Sequence, residues 1–269
     1  MTGFPSAGQV EIDTGAVHEK DPRRGGLIIN ADDWGGSKEI TDRTLDCSLL
    51  GVVSSVSAMV FMDDSERAAD LALQHSVDTG LHLNLTASFS SPFCPPRVRE
   101  IQQKVAGFLH GNRTRSAIYH PGLRNAFEYS VKAQLDEYQR LYRKDATRVD
   151  GHHHMHLSAN VLFQRLLPKD VIVRRNFSFS KGEKSRLNRW YRRWQDRQLA
   201  KRHRMVDYFF PLVPVNIPGR LERVFALSDH YSVEVETHPV NRDEYEFLTS
   251  EEPMRLAREI GIARGYSLV

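Results

Sequence analysis

Seven short apolar segments recur along the chain, and segments with helical periodicity or irregular composition separate them. The apolar segments lie at residues 27–30, 56–61, 81–85, 147–150, 171–174, 205–209 and 233–237. Helical patterns between them include residues 65–74 and 126–144. Buried strands that alternate with helices favour parallel βαβ units with both sheet faces covered. The pattern therefore predicts an α/β fold with about seven parallel strands.

At 269 residues, the chain is near the upper size for one hydrophobic core. We expect a single domain over residues 27–269. Residues 1–26 lack the apolar core of a signal peptide, and we expect a flexible N-terminal tail there. Residues 90–96, with three prolines, and residues 112–122 lack periodicity and are predicted to be loops beside a site.

The composition narrows the cellular setting and the class of partner. No apolar run is long enough to span a bilayer, and a net charge of +3 does not indicate general affinity for nucleic acid. Cys47 and Cys94 are too few for a disulfide framework in a chain of this size. We therefore expect a cytoplasmic protein without a membrane span.

The charge is unevenly distributed. Residues 181–204 contain ten Lys or Arg against two acidic residues, Glu183 and Asp196. One interpretation is a solvated helix whose buried side consists of Trp190, Tyr191 and Trp194. The alternative is a surface that contacts an anionic substrate or a membrane.

Two adjacent carboxylates, Asp32 and Asp33, follow the first apolar segment in LIINADDWGGSKE. Glycines at 35 and 36 predict that the strand ends near Asp33, where both carboxylates can reach one site. Such closely packed charges are stable together when a cation holds at least one of them ionised. The alternative is an N-cap pair for the helix that follows Ser37.

A second polar group lies in GLHLNLT, residues 80–86. Strand alternation places His82, Asn84 and Thr86 on the face opposite the leucines. His82 then faces the interior of a barrel or the mouth of a sheet. A hydrogen-bonded core histidine is the alternative to a metal ligand.

The third group is the histidine cluster of RVDGHHHMHLS, residues 148–158. Asp150, His152, His154 and His156 share a period of two, so an extended backbone would aim them the same way. Neutral imidazole is a common metal ligand, and a nearby aspartate can orient a ring through its second nitrogen. A surface loop or a pH-sensitive loop is the alternative.

Together, the three groups supply one carboxylate oxygen and two imidazole nitrogens from separate strands. Such a set suits a divalent ion with open positions for water, among Zn, Mn, Co, Ni and Mg. The carboxyl ends of parallel strands are where α/β active sites assemble. We therefore expect one metal site at this end of the sheet.

Five ordered motifs resemble those of the YdjC-like carbohydrate deacetylases, a family that includes chitooligosaccharide deacetylases and hopanoid-biosynthesis relatives. The motifs are LIINADDWG, GVVSSVSAMV, GLHLNLT, VDGHHHMH and VETHPV, within residues 27–269. The resemblance implies an irregular, TIM-like (β/α) barrel that holds one divalent metal, with Mg or Zn favoured. It also implies removal of acetyl groups from N-acetylated sugars, including oligosaccharides, glycolipids or sugar conjugates.

The resemblance further implies roles for individual residues. Asp33, His82 and His152 match the metal ligands, Asp32 matches the general base, and His238 matches a proton donor or substrate contact. Trp34 and Gly151 depart from the Phe and Ser common in the family. His156 is the second candidate for the proton donor. The residues expected to support the ligands or contact substrate are Asp150, His154, His156, Asn84 and Arg174.

Two other functions fit the same residues. One is metal-dependent hydrolysis of an ester or phosphoester. The other is non-catalytic sugar binding by a protein in which the metal only stabilises the fold. The free carboxylate of Asp32 beside the ligands argues against the second, because a structural site has no use for it. A homodimer is compatible with the sequence.

Overall fold

The computed structural model describes residues 25–112, 114–178, 185–256, 262, 265–266 and 269. The predicted tail lies outside the described residues as far as residue 24. Residues 181–184, where the basic segment begins, also lie outside them. Gly26 already belongs to the first strand.

The described residues form seven strands, all in one sheet. They are β1 (Gly26–Trp34), β2 (Ser55–Ala58), β3 (Thr79–Leu83), β4 (Arg148–Gly151), β5 (Ile172–Val173), β6 (Tyr208–Pro211) and β7 (Ser232–Thr237). The helices of the same residues are α1 (Lys38–Leu49), α2 (Ser65–His75), α3 (Pro96–His110), α4 (Arg124–Tyr142), α5 (Ala159–Gln164), α6 (Arg186–Leu199), α7 (Arg220–Ala226), α8 (Arg242–Leu248) and α9 (Glu251–Leu256).

The strands pair in the order β5-β4-β3-β2-β1-β7-β6, and every pairing is parallel. The sheet curls so that its two ends approach each other. Val173 N donates to Arg204 O at 2.9 Å, and Ser178 N donates to Phe209 O at 2.8 Å. Backbone contacts thus join the ends beside the two short edge strands. The α/β fold with seven parallel strands is confirmed as a curled half-barrel with surrounding helices.

Side-chain alternation along β1 divides the core in two. Leu27, Ile29 and Ala31 belong to the large apolar cluster that the helices cover. Ile28 belongs to a smaller cluster with residues of β5 and β6, which lies inside the curl of the sheet. Asn30 and Asp32 continue the face of Ile28 toward the carboxyl end of the strand. The inner face therefore changes from apolar to polar along the strand, and the polar end holds the candidate site.

Local predictions succeeded where periodicity was strong. The helices expected at 65–74 and 126–144 are α2 and α4. The strand expected at 205–209 is β6 at 208–211, because residues 204–207 instead connect α6 to the sheet. Helix α3 was not predicted; it begins at Pro96, directly after the proline-rich loop, in the position that proline favours.

Helix α6 contradicts the burial expected for its aromatic residues. Trp190 is 62% exposed and Leu187 is 75% exposed, whereas Gln195 and Leu199 are buried. Trp194 and Tyr191 are half-buried, with their rings 6.0 Å apart. The helix therefore presents one tryptophan and several arginines to solvent.

None of the helices among the described residues has both the length and the apolar character that crossing a membrane requires.

Both cysteines, Cys47 and Cys94, are buried free thiols, as the absence of a disulfide framework predicts.

Candidate active site

The end of β1 turns two consecutive carboxylates toward one pocket. Asp33 has a φ of 65°, in the left-handed region, and the pairing with β2 shifts register between Ala31 and Trp34. This irregularity suspends the alternation that would send adjacent side chains to opposite faces. Trp34 then returns to the core, where its indole N–H donates to Ala68 O at 3.2 Å. The tryptophan thus anchors the strand end from outside the pocket.

The aspartate pair does not cap helix α1. Ser37 is the N-cap, and its hydroxyl accepts a hydrogen bond from Ile40 N at 3.4 Å. The capping alternative for Asp32 and Asp33 is therefore wrong.

Asp33, His82 and His152 meet at the carboxyl ends of β1, β3 and β4. His152 Nδ1 lies 2.8 Å from Asp33 Oδ1, and His82 Nε2 lies 3.2 Å from the same oxygen. One ligand atom from each residue lies within 4.8 Å of the other two. Burial alone raises the pKa of Asp33, but hydrogen bonds from His152 and His82 hold that pKa well below its usual value. This trio could hold a metal ion through one oxygen and two nitrogens.

Asp150 fixes the ring of His82. Its Oδ1 lies 2.7 Å from His82 Nδ1, and its Oδ2 accepts from the hydroxyl of Ser57. Arg174 and His82 hold the pKa of Asp150 below its usual value, against the effect of burial. A carboxylate on one imidazole nitrogen directs the other nitrogen toward a metal. Asp150 therefore orients the histidine of the neighbouring strand.

Arg174 is the centre of the buried charge network. Its Nη1 donates to Asp32 Oδ2 at 2.6 Å and its Nη2 to Asp32 Oδ1 at 2.7 Å. Its Nε donates to Glu234 Oε1 at 2.7 Å, and its Nη2 lies 3.3 Å from Asp150 Oδ2. The guanidinium also lies over the ring of Phe209. One arginine therefore orients the candidate base and contacts several carboxylates.

Two carboxyl groups that contact Arg174 were not predicted. Glu234 and Glu236 lie on β7, and burial raises the pKa of both, most strongly at Glu236 beside Asp32. Alternation along SVEVETH places Glu234, Glu236 and His238 on one face, so the signal was present in the sequence. Glu236 and His238 lie close to Asp32, because one ligand atom from each of the three residues lies within 4.8 Å of the other two.

The histidine cluster does not run as an extended strand, so the expectation of a shared direction is wrong. Strand β4 ends at Gly151, and residues His152–Leu157 form a 3-10 turn in which His153 and His154 have positive φ. Within the cluster, His152 reaches Asp33. His154 lies with Nε2 3.8 Å from Glu236 Oε2 and its ring edge against Phe177.

His156 is buried, which removes it as the proton donor to a substrate. Its Nε2–H donates to Arg174 O at 2.9 Å, and burial lowers its pKa to about 4. A side chain at Gly151 would place a Cβ 3.0 Å from His156 N, so glycine leaves room for this ring. His156 therefore positions the backbone of Arg174.

Asn84 makes side-chain hydrogen bonds within the loop that follows β3. It follows the end of β3, and its side-chain oxygen accepts from Thr86 N at 3.1 Å and Ala87 N at 2.8 Å. Its amide donates to Ala87 O at 2.8 Å. Through these bonds Asn84 supports the loop after β3, which agrees with the first of its two expected roles, support of the site or contact with substrate. His238 does reach the pocket, half-buried, with Nε2 3.9 Å from Glu236 Oε1.

Known proteins share parts of this sequence. The carbohydrate deacetylase of Mus musculus is 34% identical over 142 residues, which cover 50% of this chain and 44% of that protein. The carbohydrate deacetylase of Brevibacillus brevis is 33% identical over 140 residues, or 51% and 52% of the two chains. The chitooligosaccharide deacetylase of Yersinia pestis is 28% identical over 133 residues, or 49% and 50%. The chain spans about half the length of the curated relatives it matches.

Fold and family comparisons cover more of the chain. The structure of an Enterococcus faecalis protein named for cellobiose-phosphate cleavage aligns with a TM-score of 0.61 and 20% identity, over 90% of this chain and 98% of that one. At this identity, the likeness shows a shared fold. The family model described as YdjC-like protein matches residues 26–259, which include every site residue above. This chain therefore belongs to the YdjC-like family.

Proposed function

We propose that this protein is a metal-dependent deacetylase that hydrolyses the acetamide of an N-acetylated sugar. The observation that carries the proposal is a second carboxylate, Asp32, held beside the Asp33, His82 and His152 trio without belonging to it. A purely structural metal site needs no such group. The carbohydrate deacetylases among the relatives support a sugar acetamide as the substrate.

The donor set fits a divalent ion. Asp33, His82 and His152 would hold it, and two imidazole ligands favour Zn, Mn, Co or Ni over Mg, which prefers oxygen. When bound, such an ion polarises the acetyl carbonyl and makes water more acidic, which can supply several kcal/mol of barrier reduction. The orientation of His82 by Asp150 prepares its Nε2 for this role.

Asp32 is placed to take the proton of the attacking water. Its Oδ1 accepts from Asn30 Nδ2 at 2.8 Å and from Arg174, so both lone pairs of that oxygen are engaged. Among the described residues, its Oδ2 accepts a hydrogen bond from Arg174 only, and it lies 3.9 Å from His82 Nε2. The remaining lone pair of Oδ2 is therefore the base, and Arg174 fixes its direction.

Collapse of the tetrahedral intermediate then needs a proton for the sugar nitrogen, since an amide anion is a poor leaving group. His238 Nε2 and Glu236 Oε1 both lie at the edge of the pocket where they can supply it.

We further propose an anionic partner for the outward face of α6. Arg186 and Arg197 are exposed there with Trp190, and the carboxylate of Asp196 is occupied on the inner side by Asn176 N at 3.0 Å. The negative group belongs either to the substrate or to a membrane surface. A cationic face with an exposed tryptophan suits both.

Acetate release from a panel of acetylated sugars tests the activity. The panel contains N-acetylglucosamine, its β-1,4 oligomers, an N-acetylated sugar phosphate, an N-acetylated glycolipid and O-acetylated sugars. We expect release from an N-acetyl sugar that stops with a chelator and returns with Zn, Mn, Co, Ni or Mg. Release from O-acetyl sugars alone would contradict the assignment to amides.

A further inference from the structure

Two groups, His238 and Glu236, are candidates for the proton donor in the proposed deacetylation. We propose that Glu236 is the general acid of this reaction and that its Oε1–H supplies the proton for the departing sugar nitrogen. The inference rests on the proposed function, because it assigns one step of that reaction. His238 then contacts the substrate at the rim of the pocket.

Arg174 makes unequal hydrogen bonds to two carboxyl groups. Asp32 receives both Nη groups, at 2.6 and 2.7 Å. Glu236 receives one longer contact, 3.4 Å from Nη1 to Oε2. Since the guanidinium makes its two short hydrogen bonds to Asp32, Glu236 receives less of its charge and is the carboxyl group that can keep a proton.

The other groups around Glu236 act in the same direction on balance. Asp32 on β1 and Glu234 on β7 are negative neighbours that disfavour a second charge, whereas Arg174 and His82 favour it. His154 in the 3-10 turn and His238 directly after β7 face the group, at 3.8 and 3.9 Å. Burial, followed by the Asp32 carboxylate, raises the pKa of Glu236 well above its usual value. Paired carboxyl groups in such different environments divide into a base and an acid.

The proton on Glu236 is also accessible. Its Oε1 has no hydrogen-bond partner among the described residues, and the side chain keeps 10% of its surface exposed. Oε2 lies near Arg174 and His154, whereas Oε1 lies on the side of the half-buried His238, 3.9 Å from its Nε2. The ring of His238 lacks a comparable arrangement, because its nearest carboxylate oxygen is 3.9 Å away and does not orient it.

The step balances without another reactant. Asp32 takes a proton from the water that adds to the acetyl carbon. When the C–N bond breaks, its electron pair stays on nitrogen, which takes the proton from Glu236 Oε1. Acetic acid and the free amine leave, and the acid loses its proton to solvent. The proton held by Asp32 returns to Glu236, whose ligating oxygen lies within 4.8 Å of that of Asp32.

Two acetyl donors with different leaving groups test the assignment. The first is the sugar that the wild type deacetylates fastest on the panel, and the second is 4-nitrophenyl acetate, whose leaving group needs no proton. For Glu236→Gln we expect a loss of about 10²–10³-fold in kcat on the sugar and a change within about threefold on the aryl ester. Glu236→Asp should recover part of the sugar activity, because it restores a carboxylic acid.

Controls separate this result from misfolding and from failure of the proposed function. Glu246→Gln, an exposed change on α8, should match the wild type on both donors. Equal losses on both donors for Glu236→Gln would overturn the inference. So would a loss confined to the sugar in His238→Gln when Glu236→Gln stays near normal. The deacetylase assignment would stand in both cases. A wild type that releases no acetate from any sugar overturns both.

Discussion

Asp32 and Asp33 are neighbours in sequence, but their side chains have different partners. Asp33 binds two imidazoles, whereas Asp32 binds one guanidinium and one amide. The left-handed backbone at Asp33 makes this separation possible within two residues. The pair therefore presents two carboxylates with different partners at one strand end, as the proposed ligand and the proposed base require.

Replacing Asp32 by Asn should remove turnover and keep the metal. The amide preserves the shape of the side chain but cannot take a proton, so we expect kcat to fall by about 10²–10⁴-fold. Acetate release gives the rate, and calorimetric titration with Zn²⁺ gives the affinity. Asp33→Asn is the matched change, and it should lose Zn²⁺ binding as well. Near-normal acetate release by Asp32→Asn would show that another group is the base.

Asp150→Asn should weaken the metal site without touching a ligand. The carboxylate holds Nδ1 of His82, and loss of such support lowers metal affinity by about 10–100-fold. Ser57→Ala removes a more distant hydrogen bond to Asp150 and should have a smaller effect. Zn²⁺ titration of the three proteins provides the measurement. An unchanged Kd in Asp150→Asn would mean that the sheet alone positions His82.

Sequence reasoning predicted that Asp33, His82 and His152 would meet, because each lies in or directly after a strongly apolar or alternating segment. It could not place His156, whose burial depends on a 3-10 turn with two left-handed histidines. It also did not reveal the local hydrogen bonds that hold the side chain of Asn84 to the next loop residues after β3 ends. The proposed role of Glu236 depends on its contact with Arg174. Arg174 directly follows β5, which is far from β7 in the strand order.

At the scale of elements, the strands were predictable because each is a short apolar run. Helix α3 was missed because the prolines at its start were taken as part of a loop.

Helix α6 shows that composition alone did not predict which residues are buried. Its aromatic residues suggested a buried stripe, but its inward face includes two polar residues. Asp196 accepts a hydrogen bond from Asn176 N, and Gln195 donates one to Leu157 O. Trp190 is left to solvent.

The exposed face of α6 should bind vesicles that contain anionic phospholipid if its partner is a membrane. Co-sedimentation with phosphatidylglycerol–phosphatidylcholine vesicles should exceed that with phosphatidylcholine alone and fall with added salt. Arg197→Gln should weaken binding by roughly fivefold, which corresponds to about 1 kcal/mol per surface cation. Trp190→Ala should also weaken it, whereas Phe93→Ala, which changes another aromatic residue that is 73% exposed, should not.

The same variants distinguish the two sources of negative charge. If vesicles do not bind but Arg197→Gln raises KM for the sugar phosphate and not for the neutral sugar, the anionic group belongs to the substrate. If neither measurement changes, α6 is a solvated helix and the proposal of an anionic partner is wrong.

At the scale of the molecule, the curled sheet brings five carboxylates from β1, β4 and β7 close to the positive charge of Arg174. They are Asp32, Asp33, Asp150, Glu234 and Glu236. Apolar packing of the sheet must hold these charges together in the folded state. A divalent cation should therefore bind the folded protein far more strongly than the unfolded chain, where the same groups are separated.

The stability of the whole protein should consequently depend on metal concentration. At a free Zn²⁺ concentration of 100 times Kd, linkage predicts about 2.7 kcal/mol of added stability, which corresponds to a rise of roughly 5 °C in Tm for a chain of this size. Thermal melts of chelator-treated protein across a Zn²⁺ series provide the measurement. Asp33→Asn should remove the shift, while Glu246→Gln, far more exposed, should keep it. If Zn²⁺ raised the Tm of Asp33→Asn as much as that of the wild type, the stabilising ion would bind elsewhere. The rise would then not depend on the Asp33 oxygen that lies beside both His82 and His152.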